Sequence, residues 1–144
     1  MPRPRGGDWL EDEVRSLQDS GAEIVVSLLE NEEITELELE REQELCESWG
    51  LEFISFPIPD RDVPQSKSDT IKLVDTLSEL TSKGRHIVIH CRQGIGRSSI
   101  IAAAILTSLG IPVEEAFDRI ATARGRPVPD TREQRDWAVE FVSK

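Results

Sequence analysis

One stretch of this chain, residues 86–109, constrains the fold more than any other. The short apolar run from Ile87 to Ile89 is typical of a strand that is buried on both faces of a sheet. From Arg97 to Leu109 the residues are apolar almost all round, which predicts a central helix that ends at Gly110. A tight loop, Cys91 to Gly96, joins the two elements. The stretch therefore predicts an α/β core built around a strand–loop–helix unit.

The loop has the composition of an anion-binding nest that holds a nucleophile. Backbone N–H groups converge at a strand-to-helix turn, and the helix N-terminus adds partial positive charge there. Gly94 and Gly96 allow backbone torsions and a close ligand approach that side chains would block. The same field favours the thiolate of Cys91, which is the nucleophilic form of a cysteine. Arg97 can hold two oxygens of a tetrahedral oxyanion, so we predict a phosphate site with Cys91 at its centre.

The loop sequence resembles the His-Cys-x5-Arg-Ser/Thr signature of the cysteine-dependent protein tyrosine and dual-specificity phosphatases. The residues that carry the resemblance are His90, Cys91, Arg92, Gln93, Gly94, Ile95, Gly96, Arg97 and Ser98. It implies that residues 92–97 bind the phosphate group and that His90, Cys91, Arg97 and Ser98 take part in catalysis. A buried packing cysteine would explain Cys91, but it would not explain the glycines, Arg97 or Ser98.

A second strand is predicted from Glu52 to Phe56, and a stiff loop with three prolines follows it at residues 57–64. Asp60 and Asp62 in this loop are candidates for a general acid, although both also suit ordinary turn or cap positions. The stretch Pro57-Ile58-Pro59-Asp60 is similar to the general-acid loop of the kinase-associated phosphatase type, also called cyclin-dependent kinase inhibitor 3. That resemblance implies that Asp60, rather than Asp62, is the acid.

Gln134 is a further candidate, because it continues the apolar stripe of the last predicted helix into its first turn. A polar residue on that face needs a partner, so Gln134 either caps a neighbouring backbone group or faces the site. Asp130 and Glu133 predict a capping box at the start of the same helix. Thr131-x-x-Gln134 resembles the glutamine with which the family holds the attacking water.

The rest of the chain alternates predicted strands and helices. The first helix is predicted from Asp8 to Gly21, with Glu11 completing a capping box at its start. Further helices are predicted at one or two places in 30–49, from Ser66 to Gly84 and after Pro112. Another strand is predicted at 23–29. This alternation predicts an α/β fold with a mostly parallel central sheet of about four to five strands, flanked by helices. We expect one domain over residues 1–144, like that of the dual-specificity phosphatases.

The formal net charge of −11 is distributed unevenly. Residues 1–52 hold 16 acidic and 4 basic residues, so the acidity lies away from the phosphate loop in sequence. This balance argues against nucleic acid or an anionic membrane as a partner. We interpret the glutamate-rich segment 30–49 as a solvated face, with a basic partner surface as the alternative. Arg3 and Arg5 indicate either a flexible basic terminus or an arm that reaches the phosphate site.

The chain has no apolar run of membrane-spanning length, and its first residues lack the apolar segment of a signal peptide. Two cysteines, Cys46 and Cys91, are too few for a disulfide framework, and a thiolate nucleophile needs a reducing compartment. We therefore expect a cytoplasmic monomer. A regulatory disulfide between the two cysteines is left open.

The resemblance implies a two-step hydrolysis of phosphoproteins that uses neither a metal nor a cofactor. The chain contains no tyrosine and shows no counterpart of the tyrosine-bearing loop that deepens the pocket of tyrosine-specific relatives. A shallower pocket would admit phosphoserine and phosphothreonine as well as phosphotyrosine. The alternatives are a phosphoinositide or other non-protein substrate, and a phosphoprotein-binding module with weak turnover. A kinase as the substrate rests on family analogy alone.

Overall fold

The computed structural model describes residues 1–142, in which helices pack on both faces of a small parallel sheet. The strands are β1, Ile24–Ser27; β2, Glu52–Ser55; and β3, Ile87–His90. The helices are α1, Leu10–Asp19; α2, Asn31–Glu36; α3, Glu42–Ser48; α4, Lys67–Ser82; α5, Arg97–Ser108; α6, Val113–Arg124; and α7, Arg132–Val142. None of the helices within these residues is long and apolar enough to cross a lipid bilayer.

The sheet has the strand order β2-β1-β3, and both pairings are parallel. Ser27 at the end of β1 pairs with Ser55 on one side and with His90 on the other, so the carboxyl ends of all three strands meet at one edge. The predicted α/β fold with a parallel sheet is confirmed. Residues 1–142 form three strands, fewer than the four to five predicted, and these correspond to the strand segments predicted at 23–29, 52–56 and 87–89.

Successive residues of β1 point into different cores, as the two-residue period of a strand requires. Ile24, Val26 and Leu28 pack in a cluster with the inward faces of α4 and α5. Val25 and Leu29 pack in a second cluster, on the opposite face of the sheet, with α1 and α3. All four residues of β1 are buried, so the central strand ties both helical layers together.

Helix α5 is buried almost all round, as its sequence predicted. Ile101 packs towards the sheet and α4, whereas Ile100 and Ala103 belong to a third cluster that includes residues of α6 and α7. The first turn of α5 is therefore held on several sides. This packing fixes the helix N-terminus that follows the phosphate loop.

Two predicted capping boxes are wrong. A short 3₁₀ helix, Gly7–Trp9, precedes α1, so Trp9 already has helical torsions and the helix begins without a side-chain cap at Asp8. At the start of α7 the cap is Thr131 rather than Asp130, because the Gln134 N–H donates to the Thr131 hydroxyl (3.1 Å). The Thr131 N–H in turn donates to the Gln134 side-chain oxygen (3.1 Å), which completes a capping box one residue later than predicted.

We expect Ile101→Ala to lower the free energy of unfolding by about 2–5 kcal/mol, because it opens a cavity between the sheet and α4. Leu109→Ala, at an end of α5 where the leucine is 41% exposed, should change it by less than about 0.5 kcal/mol. Urea denaturation of both variants measures the difference. Equal losses would contradict the central position assigned to α5.

Candidate active site

The phosphate loop lies at the carboxyl end of β3 and forms the floor of a cleft of about 240 Å³. The lining residues are Asp60, Arg61, Cys91, Arg92, Gln93, Ile95, Gly96, Arg97, Asp130 and Gln134. The fold therefore brings the loop together with the general-acid candidate and with the N-terminal end of α7. Arg92 reaches the cleft rim, where its guanidinium donates to Glu36 (3.1 Å).

The environment of Cys91 favours a thiolate. Burial opposes the anion, but hydrogen bonds from the Ser98 side chain and from the backbone N–H groups of Ser98 and Gly94 outweigh it, with help from the charge of Arg97. Together they hold the pKa of the Cys91 thiol below its ordinary value. The sulfur lies 3.4 Å from the Ser98 hydroxyl oxygen. The structure thus brings Cys91, Arg97 and Ser98 together, as the sequence predicted.

The two loop glycines are required by close contacts within the protein. Gly94 has a φ of +74°, and a Cβ atom there would lie 2.4 Å from the backbone of Met1. A Cβ atom on Gly96 would lie 2.8 Å from the side-chain amide of Gln134. The prediction that the loop needs special backbone torsions is confirmed at Gly94. The groups that come close to the two glycines are other parts of the chain, Met1 and Gln134, where the sequence analysis expected a ligand.

The first residues of the chain reach the phosphate loop, which agrees with the interpretation of this segment as an arm rather than a flexible terminus. Pro2 forms an isolated parallel bridge with Cys91, and the Arg3 N–H donates to the Arg92 carbonyl oxygen (3.3 Å). The contact is made by the backbone, however, and the Arg3 guanidinium donates to the neighbouring Pro4 carbonyl. Residues 1–3 therefore brace the loop rather than bind its ligand, and we call them the N-terminal arm.

Arg97 is only 2% exposed, and both outer nitrogens of its guanidinium donate hydrogen bonds within the protein. It forms a bidentate pair with Glu33, at distances of 2.6 Å and 2.8 Å. It also donates to the Ile58 carbonyl (2.9 Å) and to a carboxylate oxygen of Asp60 (3.0 Å). Burial opposes ionisation of Glu33, but the hydrogen bonds from Arg97 outweigh it and hold the pKa of Glu33 below its ordinary value. The fork of Arg97 is thus oriented in the absence of substrate.

Residues 30–49 are not simply a solvated face, and that prediction is wrong at two positions. Glu33 and Glu42 are both buried, and Glu42 lies 2.6 Å from Nε2 of His90. The other ring nitrogen of His90, Nδ1, is buried and has no hydrogen-bond partner within residues 1–142. No local signal separated Glu33 and Glu42 from the other glutamates of the segment, because their partners, Arg97 and His90, are distant in sequence.

The structure separates the two general-acid candidates. Asp60 lines the cleft with its side chain 53% exposed, and it lies on the guanidinium of Arg97. The carboxylate of Asp62 instead accepts the N–H of Val63 (2.7 Å), which is a local turn contact outside the cleft lining. Ile58 anchors the loop, because it is buried and its N–H donates to the Leu28 carbonyl (3.0 Å). Of the two candidates, Asp60 therefore lies in the cleft and Asp62 does not.

Gln134 satisfies both of the alternatives that its sequence position left open. Its side-chain oxygen accepts the N–H groups of Asp130 and Thr131, at 3.1 Å each. Its side-chain nitrogen donates to the carbonyl oxygen of Asp62 (3.0 Å). The residue is fully buried and also lines the cleft. Gln134 thus joins the start of α7 to the loop that carries Asp60.

Cys46 differs from Cys91 in its surroundings. Both thiols are free, but Cys46 is buried in the cluster on the other face of the sheet. Burial, with smaller contributions from Glu42 and Glu47, raises the pKa of Cys46 to about 12. Its thiol therefore stays protonated near neutral pH.

Comparisons with known proteins show the family to which the chain belongs. Residues 1–111 match the family model described as a polymorphic toxin system, DSP-PTPase phosphatase. Cyclin-dependent kinase inhibitor 3 of Rattus norvegicus is 26% identical over 137 residues, which are 94% of this chain and 64% of the rat protein. The crystal structure of kinase-associated phosphatase with its catalytic-site cysteine replaced by serine has a TM-score of 0.89 at 21% identity, covering 99% of this chain and 83% of that one. PTPMT1 in complex with PI(5)P has a TM-score of 0.78 at 23% identity, covering 93% and 85%.

The family match spans most of the chain, and the chain belongs to the dual-specificity branch of the protein tyrosine phosphatase family. Among its relatives, cyclin-dependent kinase inhibitor 3 is similar over nearly the whole of this chain. The chain spans 64% of the length of that relative. The likeness to the two solved structures, at identities below 25%, shows that the fold is shared.

We expect iodoacetate to label one thiol near neutral pH, that of Cys91, because the Cys46 thiol is protonated and buried. The labelling rate should rise with pH through a midpoint below the ordinary value of about 8.5. Intact-protein mass spectrometry over a pH series measures it. Cys46→Ser should be labelled like the wild type and Cys91→Ser not at all, whereas labelling of Cys91→Ser would contradict the assignment.

We expect Glu33→Gln to lower the free energy of unfolding by about 3 kcal/mol, because the buried guanidinium of Arg97 loses its countercharge. Added phosphate should recover part of the loss, since a bound dianion pairs with the same guanidinium. Urea denaturation with and without phosphate measures both effects. Glu32→Gln, at an exposed position in the same helix, is the matched control, and an equal loss in the two variants would count against the pair.

Proposed function

We propose that this protein hydrolyses phosphate monoesters on proteins by way of a phosphocysteine at Cys91. The observation that carries the proposal is the single cleft in which a stabilised thiolate, the fork of Arg97 and the carboxylate of Asp60 meet. In the first step the sulfur of Cys91 attacks phosphorus and the bond to the ester oxygen breaks. Asp60 gives its proton to that leaving oxygen, and the loop N–H groups and Arg97 hold the charge of the transferring group.

The second step returns the enzyme to its starting state. Water attacks the phosphorus of the phosphocysteine, Asp60 takes a proton from that water, and the bond between sulfur and phosphorus breaks. The hydroxyl of Ser98, which lies 3.4 Å from the sulfur, stabilises the departing thiolate. Gln134 uses one N–H on the carbonyl of Asp62, and its second N–H is the group that we assign to the attacking water.

The contact between Asp60 and Arg97 indicates how substrate prepares the acid. In this structure Asp60 lies 3.0 Å from the outer nitrogen of Arg97, within the cleft that the phosphate group must enter. A phosphate dianion needs the same guanidinium and repels the carboxylate of Asp60. Binding therefore turns Asp60 away from Arg97; its carboxylate takes up a proton from solvent and can give it to the leaving oxygen.

Phosphotyrosine, phosphoserine and phosphothreonine proteins form the substrate class that we favour. Cyclin-dependent kinase inhibitor 3 and kinase-associated phosphatase support, by analogy, a phosphorylated kinase as one such protein. The second candidate is a phosphoinositide, which the likeness to PTPMT1 bound to PI(5)P favours. The cleft rim argues against it, because Arg61 and Arg92 are already paired with Asp130 (3.4 Å) and Glu36 (3.1 Å). A headgroup with several phosphates would have to displace these carboxylates.

The remaining features of the proposal rest on composition and chemistry. A net charge of −11 disfavours nucleic acid and anionic membranes as partners. The thiolate chemistry of Cys91 requires a reducing compartment, for which we propose the cytoplasm. We propose a single-domain monomer that needs no metal, because the loop and Arg97 supply the positive charge that phosphoryl transfer requires.

We expect the wild type to release phosphate from an aryl phosphate in the presence of a chelator and a reductant, and Cys91→Ser to release none. Cys91→Ser should still bind a phosphotyrosine peptide, because the loop and Arg97 remain in place. Turnover by Cys91→Ser would remove Cys91 as the nucleophile. Peptide binding without turnover by the wild type would instead favour the phosphoprotein-binding module.

Asp60→Ala should lower kcat by roughly 10²–10⁴-fold, and least for esters with good leaving groups, which need little help from an acid. Asp62→Ala is the matched control from the same loop, and it should lose far less because its carboxylate only caps Val63. Steady-state kinetics with a series of aryl phosphates measures both. A larger loss in Asp62→Ala would show that Asp62 is the acid.

A further inference from the structure

Arg124, the last residue of α6, donates hydrogen bonds to the phosphate loop, although it does not line the cleft. Its Nε donates to the carbonyl oxygen of Gly94 (3.0 Å), and its Nη2 donates to that of Gln93 (3.1 Å). Arg3 in the N-terminal arm donates its backbone N–H to the preceding carbonyl, that of Arg92. Three successive carbonyls of the loop are therefore held by donors that lie outside the cleft.

The hydrogen bonds to these carbonyls determine the direction in which the loop N–H groups point. In a trans peptide the C=O and N–H bonds of one unit point in opposite directions. The Gln93 carbonyl shares its peptide unit with the N–H of Gly94, one of the groups that lower the pKa of the Cys91 thiol. The Gly94 carbonyl likewise shares its unit with the N–H of Ile95. A donor that fixes the two carbonyls outwards thus fixes two N–H groups inwards.

This arrangement needs a cation of the shape of arginine. Neighbouring carbonyls on one side of a loop repel each other, and at Gly94 the left-handed φ of +74° lets the backbone change orientation at little cost. A guanidinium provides two donors in a fixed planar fork together with a full positive charge. Gly125, with a φ of 73°, ends α6 directly after Arg124 and so limits how far the helix extends past the loop.

We propose that Arg124 is a positioning residue for the phosphate loop: it holds the peptide units 93–94 and 94–95 with their N–H groups towards the sulfur and the bound phosphate. The inference rests on the proposed function, since it concerns the thiolate of Cys91. Arg124 touches neither the substrate nor the reacting atoms, and it acts through the loop backbone.

The test compares Arg124→Met with Arg119→Met. Arg119 lies on the same helix, is exposed and pairs only locally with Glu115 (2.8 Å), so its loss removes the same amount of charge without touching the loop. Arg124→Met should lower kcat for an aryl phosphate by about tenfold or more and move the pH midpoint of Cys91 alkylation upwards. Arg119→Met should change neither kcat nor the alkylation midpoint. If Arg124 only stabilised the fold, Arg124→Met would leave the pH midpoint of Cys91 alkylation unchanged.

Arg124→Lys keeps the charge and the aliphatic stem, so it provides a second test if Arg124→Met does not fold. Because a lysine offers a single point of contact instead of a fork, kcat should stay below the wild-type value. Wild-type values of kcat and of the alkylation midpoint in Arg124→Lys would contradict the need for hydrogen bonds to both carbonyls. Equal behaviour of Arg124→Met and Arg119→Met would overturn the inference altogether.

Measurements on the wild type distinguish a failure of the inference on Arg124 from a failure of the proposed function. A wild type with no turnover and no alkylation at Cys91 would refute the phosphocysteine mechanism, whatever the Arg124 variants do. An active wild type with insensitive Arg124 variants would refute the role of Arg124 alone.

Discussion

The guanidinium of Arg97 and the carboxylate of Glu33 form a bidentate pair that is almost closed to water, and the geometry of the cleft depends on it. Two charges out of water are costly unless their hydrogen bonds are satisfied, and here the Ile58 carbonyl and Asp60 accept further hydrogen bonds from the two outer nitrogens of the guanidinium. The pair connects the first turn of α5 to α2 and, through Ile58, to the general-acid loop. Elements that are distant in sequence are thereby held around one cation.

The phosphate loop itself is held by opposing contacts. Its N–H groups turn inwards to the thiolate of Cys91, while Arg124 and the N-terminal arm hold its carbonyls from outside. Gly94 permits this because its torsion is left-handed and because a Cβ atom would collide with the arm. Within residues 1–142 a three-stranded sheet suffices for the site, since the loop is stabilised by side chains and the arm as well as by the sheet.

Local patterns predicted much of the fold and the centre of the site. The apolar runs of β1 and β3, the all-round apolar helix α5 and the glycines of the loop each depend on neighbours in sequence, so they could be recognised there. Other predictions failed where a competing local structure formed. The 3₁₀ turn at residues 7–9 replaced a cap at Asp8, and Thr131 took the capping position that had been assigned to Asp130.

The sequence by itself determined the candidate nucleophile, its loop and the alternation of strands and helices, because each follows from the chemistry and spacing of adjacent residues. Only the tertiary structure decided which carboxylates serve the site. Glu33 and Glu42 look like any other glutamates of an acidic segment until α2 and α3 pack beside Arg97 and His90. Arg124 is likewise an ordinary surface arginine until α6 ends beside the loop. Hydrogen bonds between residues far apart in sequence leave no periodic signal, since they depend on how whole elements pack.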